Sequence, residues 1–507
     1  MNEQEKALQA EGQVKFAQNP QQPAELLPRE RLLLPLTFCF CLLLVNTFFA
    51  TGPTAGLTAA VCAWYGLLAV CLGRKLTASG ESRFLLAVNL ALAATLALGS
   101  NWYFRMWNFL ALLVLLPTHA LGLSASCRLP WQRPKMLWER FCLLMAGLFC
   151  HLGAAFAVLA PRQKGSAARR LLPAAAGLAG ALALAAVLIP ILASADALFA
   201  AATEDLRAFF SLHFTDAVGK TLAAAVMTPF FFSLLYSLRR SNPLRVTGEK
   251  PPASVDSLAF AIVLAAAAGL YLLFLAIQSA GLFGGPAYLA QKHLSYAEWA
   301  RSGFFQMVGV TVLNLLLLLA AVQYSRREGG AWRAVRILSA LLTGESLVLL
   351  ASAAWRMTLY IAAYGLSFKR FLTYWGMGIM AVLLLAAAWK VLRPDFRFCR
   401  AAFPLLLAGW VALNFVPVDR IVAGSQVDQY LSGQREALDV EYLLQSDLSY
   451  DVLSQLERLD GSLPAYGPDG YPSTLEAEIA LRREAARRDC ADWRTWSLSA
   501  YLAARGQ

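Results

Sequence analysis

The chain has 507 residues, of which 58% are hydrophobic and only 15% charged, with a mean hydropathy of +0.53. A soluble chain is nearer about 45–50% apolar and about 25% charged, so this excess excludes one water-soluble globule and points to lipid as the solvent. The net charge is +12, but the basic residues sit mostly in short loops between apolar runs. That is the positive-inside pattern rather than a nucleic-acid-binding face, and no nucleic-acid partner is expected.

Residues 1–30 are polar and contain Pro20, Pro23 and Pro28, which predicts a disordered leader and no cleavable signal peptide. Twelve apolar segments follow, at residues 32–50, 53–73, 84–98, 107–123, 141–159, 171–193, 222–238, 258–278, 304–322, 337–354, 371–392 and 403–416. A spanning helix needs about 20 mostly apolar residues. Backbone groups in hydrocarbon must be paired within their own segment, so these are read as helices. The expected fold class is all-α: a polytopic transmembrane helix bundle of about 11–12 segments with a small helical C-terminal extramembrane domain. The chain divides into a leader (1–30), a transmembrane region (31–418) and a tail (419–507).

Orientation follows from Lys and Arg. The leader holds Lys6, Lys15, Arg29 and Arg31, residues 51–52 hold none, and the next loop holds Arg74, Lys75 and Arg83. The leader is therefore placed in the cytoplasm, with the first two segments as a tight hairpin. Segment 141–159 has basic loops on both sides and is read as non-spanning, which leaves eleven crossings and an extracytoplasmic tail. After Pro417 the chain carries 15 Asp/Glu, nine Arg and no Lys. Within this acidic tail, the spacing of Leu438, Leu444, Val452, Leu456 and Leu459 predicts a helix over 435–459. Residues 461–472 read as a turn region, and Ser473 with Glu476 as a capping box opening a helix toward Arg488.

Charged groups within apolar segments cost on the order of 2.5–3.5 kcal/mol and face the bundle or water. Glu345 is the clearest case, mid-segment between Gly344 and Ser346. It reads either as a proton or cation site or as a structural carboxyl, neutral or paired with a base. Arg356, Tyr360 and Tyr364 recur every four residues, so they share one helical face that runs to Gly365. They suit an anion or headgroup site, or an interface belt of tyrosines with an arginine that snorkels or pairs with the tail. Glu298 and Arg301 precede the ninth segment in an amphipathic run, either a lid over an outer site shared with Arg356 or an interfacial anchor. Asp196 is expected to cap a helix, and Lys220 to be an interfacial anchor. Asn46, Asn89, Asn108, Asn314 and Asn414 read as packing amides, and His119 and His151 as isolated core or interface histidines. The cysteines show no metal-ligand spacing, and phosphate-loop, zinc-protease and serine-elbow motifs are absent. No cofactor and no metal are expected.

Four runs carry a resemblance: residues 194–199 (Ser-Ala-Asp-Ala-Leu-Phe), 296–304 (Tyr-Ala-Glu-Trp-Ala-Arg-Ser-Gly-Phe, leading to Asn314), 356–367 (ending Tyr364-Gly365-Leu366-Ser367) and 492–497 (Asp-Trp-Arg-Thr-Trp-Ser). Together they resemble the bacterial membrane-protein family labelled domain of unknown function 4173, related to the similarly named 4153 group. The resemblance implies a bacterial cytoplasmic-membrane protein and supplies no activity.

Three functions fit the residues. The first is a non-enzymatic envelope, sensor or accessory protein, with a protein partner engaged through the acidic tail. The second is a transporter or flippase using Glu345 and Arg356. The third is a membrane-embedded enzyme on lipid or envelope precursors, using Glu298, Arg301 and Arg356.

Overall fold

The computed structural model describes residues 15–16, 28–124, 135–159, 181, 216–239, 244–245, 255–282, 304–444, 447–467 and 470–506. Among these, ten helices are long and apolar enough to cross a membrane, or eleven if one bent pair counts as a single span. The protein is thus an all-α polytopic transmembrane bundle, and strands are limited to two short antiparallel pairs among the described residues. The chain forms two units, residues 1–247 with 485–504, and residues 248–484 with 505–507.

The first unit contains α1 (Pro28–Thr51), α2 (Ala55–Leu72), α3 (Gly80–Leu98), α4 (Trp102–Gly122), α5 (Lys135–Phe149), α6 (Leu152–Leu159) and α7 (Asp216–Arg239). α1 and α2 form the hairpin expected from the charge-free turn, and α7 packs on α1, α2, α5 and α6. Side chains set the helix starts: Ser79 accepts from Ser82 N ahead of α3, and Asn101 from Phe104 N ahead of α4. The expected sixth segment, 171–193, and Asp196 lie outside the described residues.

Segment 141–159 is broken into α5 and α6 at Cys150 and His151. At the break, Ser233 of α7 donates to the Gly147 carbonyl at 2.6 Å and accepts from the His151 amide at 3.0 Å. Ser233 lies six residues before the end of α7, about 9 Å along its axis. Arg140, seven residues before Gly147, donates to the Thr118 carbonyl near the end of α4. These bonds tie residues 140–151 to α4 and α7, and the stretch 136–158 has the length and apolarity to cross a membrane.

The second unit contains α8 (Ser257–Leu282), α9 (Phe304–Tyr324), α10 (Gly329–Tyr364), α11 (Phe368–Leu392), α12 (Phe398–Asn414) and α13 (Val418–Leu431). α10 is central and packs against α8, α9 and α11. Its 36 residues measure about 54 Å, well beyond the roughly 30 Å hydrocarbon layer. α8 has the highest mean hydropathy of the ten candidate spans, 2.6, yet only 17% of its apolar window is buried. Ile262, Leu270 and Ile277 on it are exposed, as a lipid-facing helix requires. α12 and α13 meet at a 55° bend.

The tail departs from the expected single helix over 435–459. Residues there form the short turns α14 (Val440–Leu443) and α15 (Leu453–Leu456), with a 3-10 turn at Tyr450–Val452. Asp439 and Ser449 accept from the backbone amides of Tyr442 and Asp451. These side-chain caps start new turns where apolar spacing alone suggested continuity. The 461–472 region is more ordered than a turn: β1 (Pro464–Tyr466) pairs antiparallel with β2 (Pro472–Thr474). The following helix, α16 (Leu475–Ala491), starts one residue later than the capping-box reading, with Thr474 Oγ1 accepting from Ala477 N at 3.4 Å. The last helix is α17 (Leu498–Arg505).

Candidate functional site

Glu345 lies near the middle of α10, where three neighbouring helices surround it. Its side chain is 4% exposed, and neither carboxyl oxygen has a hydrogen-bond partner among the described residues. Polar groups on adjacent turns make this stretch unlike the apolar packing above and below it. Asn314 of α9 donates from Nδ2 to Ser346 Oγ at 3.0 Å, while its own Oδ1 is unpartnered. Ser346 and Thr343 donate back to the carbonyls of Leu342 and Ser339, and Ser339 Oγ is buried without a partner. Tyr271 of α8 is close enough for the Glu345 charge to act on its phenol. Leu342 packs into one apolar cluster with Leu264 and Ala321. Leu349 and Leu350 pack into another with Leu318, Met377 and Leu384. Unpaired carboxyl oxygens between two apolar clusters carry the full cost of desolvation when ionised, which binding a proton or a cation removes.

Arg356 is on the same continuous helix, eleven residues and about 16 Å further on. It is only 7% exposed. Tyr360 packs half-buried against the α9–α10–α11 cluster, with its ring 5.2 Å from that of Tyr364. Tyr364 is 43% exposed. Glu298 and Arg301 lie outside the described residues, so the outer cluster shared with Arg356 stays an expectation.

The end of this stripe is held by residues outside the candidate site, most of them not singled out in the sequence. Arg370 stacks 4.1 Å over the Tyr360 ring and donates to the carbonyls of Tyr364 and Gly365. Gly365 has φ 76°, and a Cβ there would meet Arg435 Nη1 at 2.7 Å. Arg435 donates to the Ala363 carbonyl at 3.0 Å, and Gln426 to that of Leu366 at 2.6 Å. The Tyr442 hydroxyl accepts from Phe368 N at 2.9 Å, and burial pushes the Tyr442 phenol up from its usual pKa. The Tyr364–Gly365–Leu366–Ser367 run is thus a helix-to-helix turn seated in the tail. A glycine followed by a capping serine was the only sequence signal for it.

In the first unit His119 is not isolated. Asn89 Nδ2 donates to Tyr65 Oη at 2.7 Å, Tyr65 Oη lies 2.9 Å from His119 Nδ1, and His119 Nε2 lies 2.8 Å from Ser82 Oγ. Ser82 in turn donates to the Leu76 carbonyl at 2.5 Å. The donors fit one direction along the whole chain when His119 carries its proton on Nε2. All four side chains are buried. Because the Ser82 hydrogen points to Leu76, His119 has no serine proton to remove, and this is a structural network. The packing-amide reading holds for Asn89, for Asn108, which donates to Thr95 at 2.8 Å, and for Asn314. Asn414 instead donates to Trp410 within its own helix.

At the far end of this unit the tail returns to the hairpin. Arg494 clasps Asp492 through Nε and Nη2 and donates to the Asn46 carbonyl, while its own carbonyl accepts from Gly56 N at 2.9 Å. Ser100 donates to Ser499 at 3.1 Å.

The family described as Domain of unknown function (DUF4153) matches residues 85–459. The chain belongs to this family. The match covers α8 to α13, and with them Glu345, Arg356 and the clamped turn. It is the group named above as a relative of the 4173 label. No curated protein and no solved structure matches the chain.

Proposed function

We propose that this protein moves a solute or drives a conformational change across its membrane by loading and unloading Glu345 with a proton. The single observation behind this reading is the buried carboxyl, with two oxygens unpartnered among the described residues, on the helix that α8, α9 and α11 pack against. A purely structural glutamate gains its place from a partner, and Glu345 has none among the described residues. In vesicles containing the full-length protein and an internal pH indicator, proton movement should follow an imposed potential or an added solute. Glu345→Gln, folded to the same melting temperature, should abolish it. No proton movement in the wild type across a broad solute panel, or equal movement in Glu345→Gln, rejects the reading.

A second reading, a non-enzymatic envelope or accessory protein, draws support from the tail. Gln426, Arg435 and Tyr442 fix one part of it to the α10–α11 turn, and Arg494 fixes another to the α1–α2 hairpin. A tail held this way offers a rigid acidic surface to a protein partner. Co-purification of a partner that is lost on replacing the exposed tail acids, with proton movement absent, would select this reading.

Both readings share one topology: a cytoplasmic leader, a transmembrane region over 31–418, and a tail over 419–507 outside the cytoplasm of a bacterial cell. Two features support it. The hairpin turn that receives Arg494 lacks Lys and Arg. The α2–α3 connection holds Arg74 and Lys75. Membership of the narrower 4173 group rests on the four quoted runs. In a variant with Cys490 as its one cysteine, an impermeant maleimide should label intact cells. Burial and Asp489 push the Cys490 thiol up, so labelling belongs at mildly alkaline pH. Labelling only after the cells are opened reverses the topology.

A further inference from the structure

The opposite end of α10 from Tyr364 carries a dense positive surface on a rigid scaffold. Arg327 pairs with Asp395 at 3.0 Å and donates to the Pro394 carbonyl, and Arg336 donates to the carbonyls of Val391 and Leu392. These bonds lash the start of α10 to the end of α11. Lys390 is buried there and donates to the Phe396 carbonyl at 3.0 Å. Around this frame stand five exposed arginines: Arg326, Arg333, Arg393, Arg397 and Arg400. The acidic groups nearby are Glu328, Asp256 and Asp395, the last already engaged by Arg327.

We propose that this end of the second unit binds anionic phospholipid headgroups of the adjoining leaflet. Guanidinium groups match phosphate oxygens in a two-pronged geometry that ammonium groups lack. The start of α10 adds backbone donors: Glu328 makes no side-chain cap, the first turn has no acidic residue, and Gly329 and Gly330 face open space where a side chain would begin. The amides at a helix start lack partners within the helix and lie at its positive end.

The rim distinguishes a lipid from a free anion. Arg393 lies 6.0 Å over the exposed Trp389 ring, and Tyr324, Ile337 and Leu392 are also exposed beside it. Aromatic rings at headgroup level with aliphatic side chains below them fit a phosphate that carries acyl chains. Inorganic phosphate has no use for that rim.

The test uses the full-length protein in a neutral detergent, titrated with phosphatidylglycerol, phosphatidylcholine or inorganic phosphate. Melting temperature and lipids retained in native mass spectrometry are the readouts. Phosphatidylglycerol should raise the melting temperature and remain bound, while phosphatidylcholine should do neither. The joint replacement Arg326→Gln, Arg333→Gln, Arg397→Gln and Arg400→Gln should weaken phosphatidylglycerol binding at least about tenfold. Arg74→Gln with Arg83→Gln, in a basic loop of the other unit, should leave it unchanged. Arg400→Gln alone, with the salt dependence of the wild type, serves if the fourfold variant does not fold. Equal stabilisation by phosphatidylcholine, full replacement by inorganic phosphate, an unaltered response in the arginine variants, or insensitivity to salt overturns the proposal.

Discussion

The Asn314 amide on α9 donates a 3.0 Å hydrogen bond to the Ser346 hydroxyl on α10, one residue beyond Glu345. This bond ties the two helices together beside the carboxyl, while Glu345 and Asn314 Oδ1 are without partners among the described residues. Interhelical hydrogen bonds in membranes contribute about 0.6 kcal/mol on average. Asn314→Leu should therefore lower stability by well under about 1 kcal/mol, read by unfolding in denaturing detergent. A much larger loss would mean that Asn314 holds more than Ser346.

Replacing Glu345 separates a working carboxyl from a structural one. Glu345→Leu removes a buried group that has no partner among the described residues, so the variant should be as stable as the wild type or up to about 1–3 kcal/mol more stable. A clear loss of stability would reveal a partner that Glu345 holds.

Tyr65→Phe deletes the hydroxyl that links Asn89 to His119. Two buried groups then lose a partner, at a cost of about 1–3 kcal/mol. Asn89→Leu combined with Tyr65→Phe should cost less than the two single changes added together, because the groups act as one network. Additive losses in a double-mutant cycle would break the network apart.

Gly365→Ala places a Cβ 2.7 Å from Arg435 Nη1, at a φ of 76° that L side chains rarely adopt. The strain is on the order of 1–3 kcal/mol. Limited proteolysis should then cut the 418–484 part of the tail faster, and Arg435→Ala should recover only the steric share of the loss. Unchanged proteolysis would show that the turn does not depend on glycine.

Asp492 is held below the usual carboxylate range by its hydrogen bonds to the Arg494 side chain and backbone. A carboxyl whose folded pKa is depressed adds stability above its unfolded pKa and loses it as pH falls through the folded value. The docking of the Arg494 segment on the α1–α2 hairpin should thus be constant at neutral pH. It should weaken in strongly acidic solution, below the ordinary aspartate range. Hydrogen exchange at Gly56 N, which bonds to the Arg494 carbonyl, follows this directly. Asp492→Asn should remove the pH dependence.

Residue type alone made the spans readable, because an apolar run long enough to cross hydrocarbon has no comparable alternative in water. The α1–α2 hairpin, the central position of Glu345 on its helix and the end of that helix at Gly365 all follow from composition and spacing. The tail was less legible. Leu438 to Leu459 keep a helical spacing, yet Asp439 and Ser449 start separate turns through side-chain bonds that a hydrophobic pattern does not register. The partners of His119 come from α2 and α3, 37 and 54 residues away, and no local signal announces them.

By itself the sequence determined that this chain is a multi-pass membrane protein, that its C-terminal tail is acidic, and that one carboxyl stands inside an apolar helix. Those are properties of single segments and of solvation. Only the tertiary structure decided that the carboxyl goes unpartnered, that the tail clamps the Gly365 turn, and that the exposed arginines of α10 to α12 share one end of the unit. Such facts depend on which distant segments meet, and hydrogen bonds and charge pairs act only over a few ångströms.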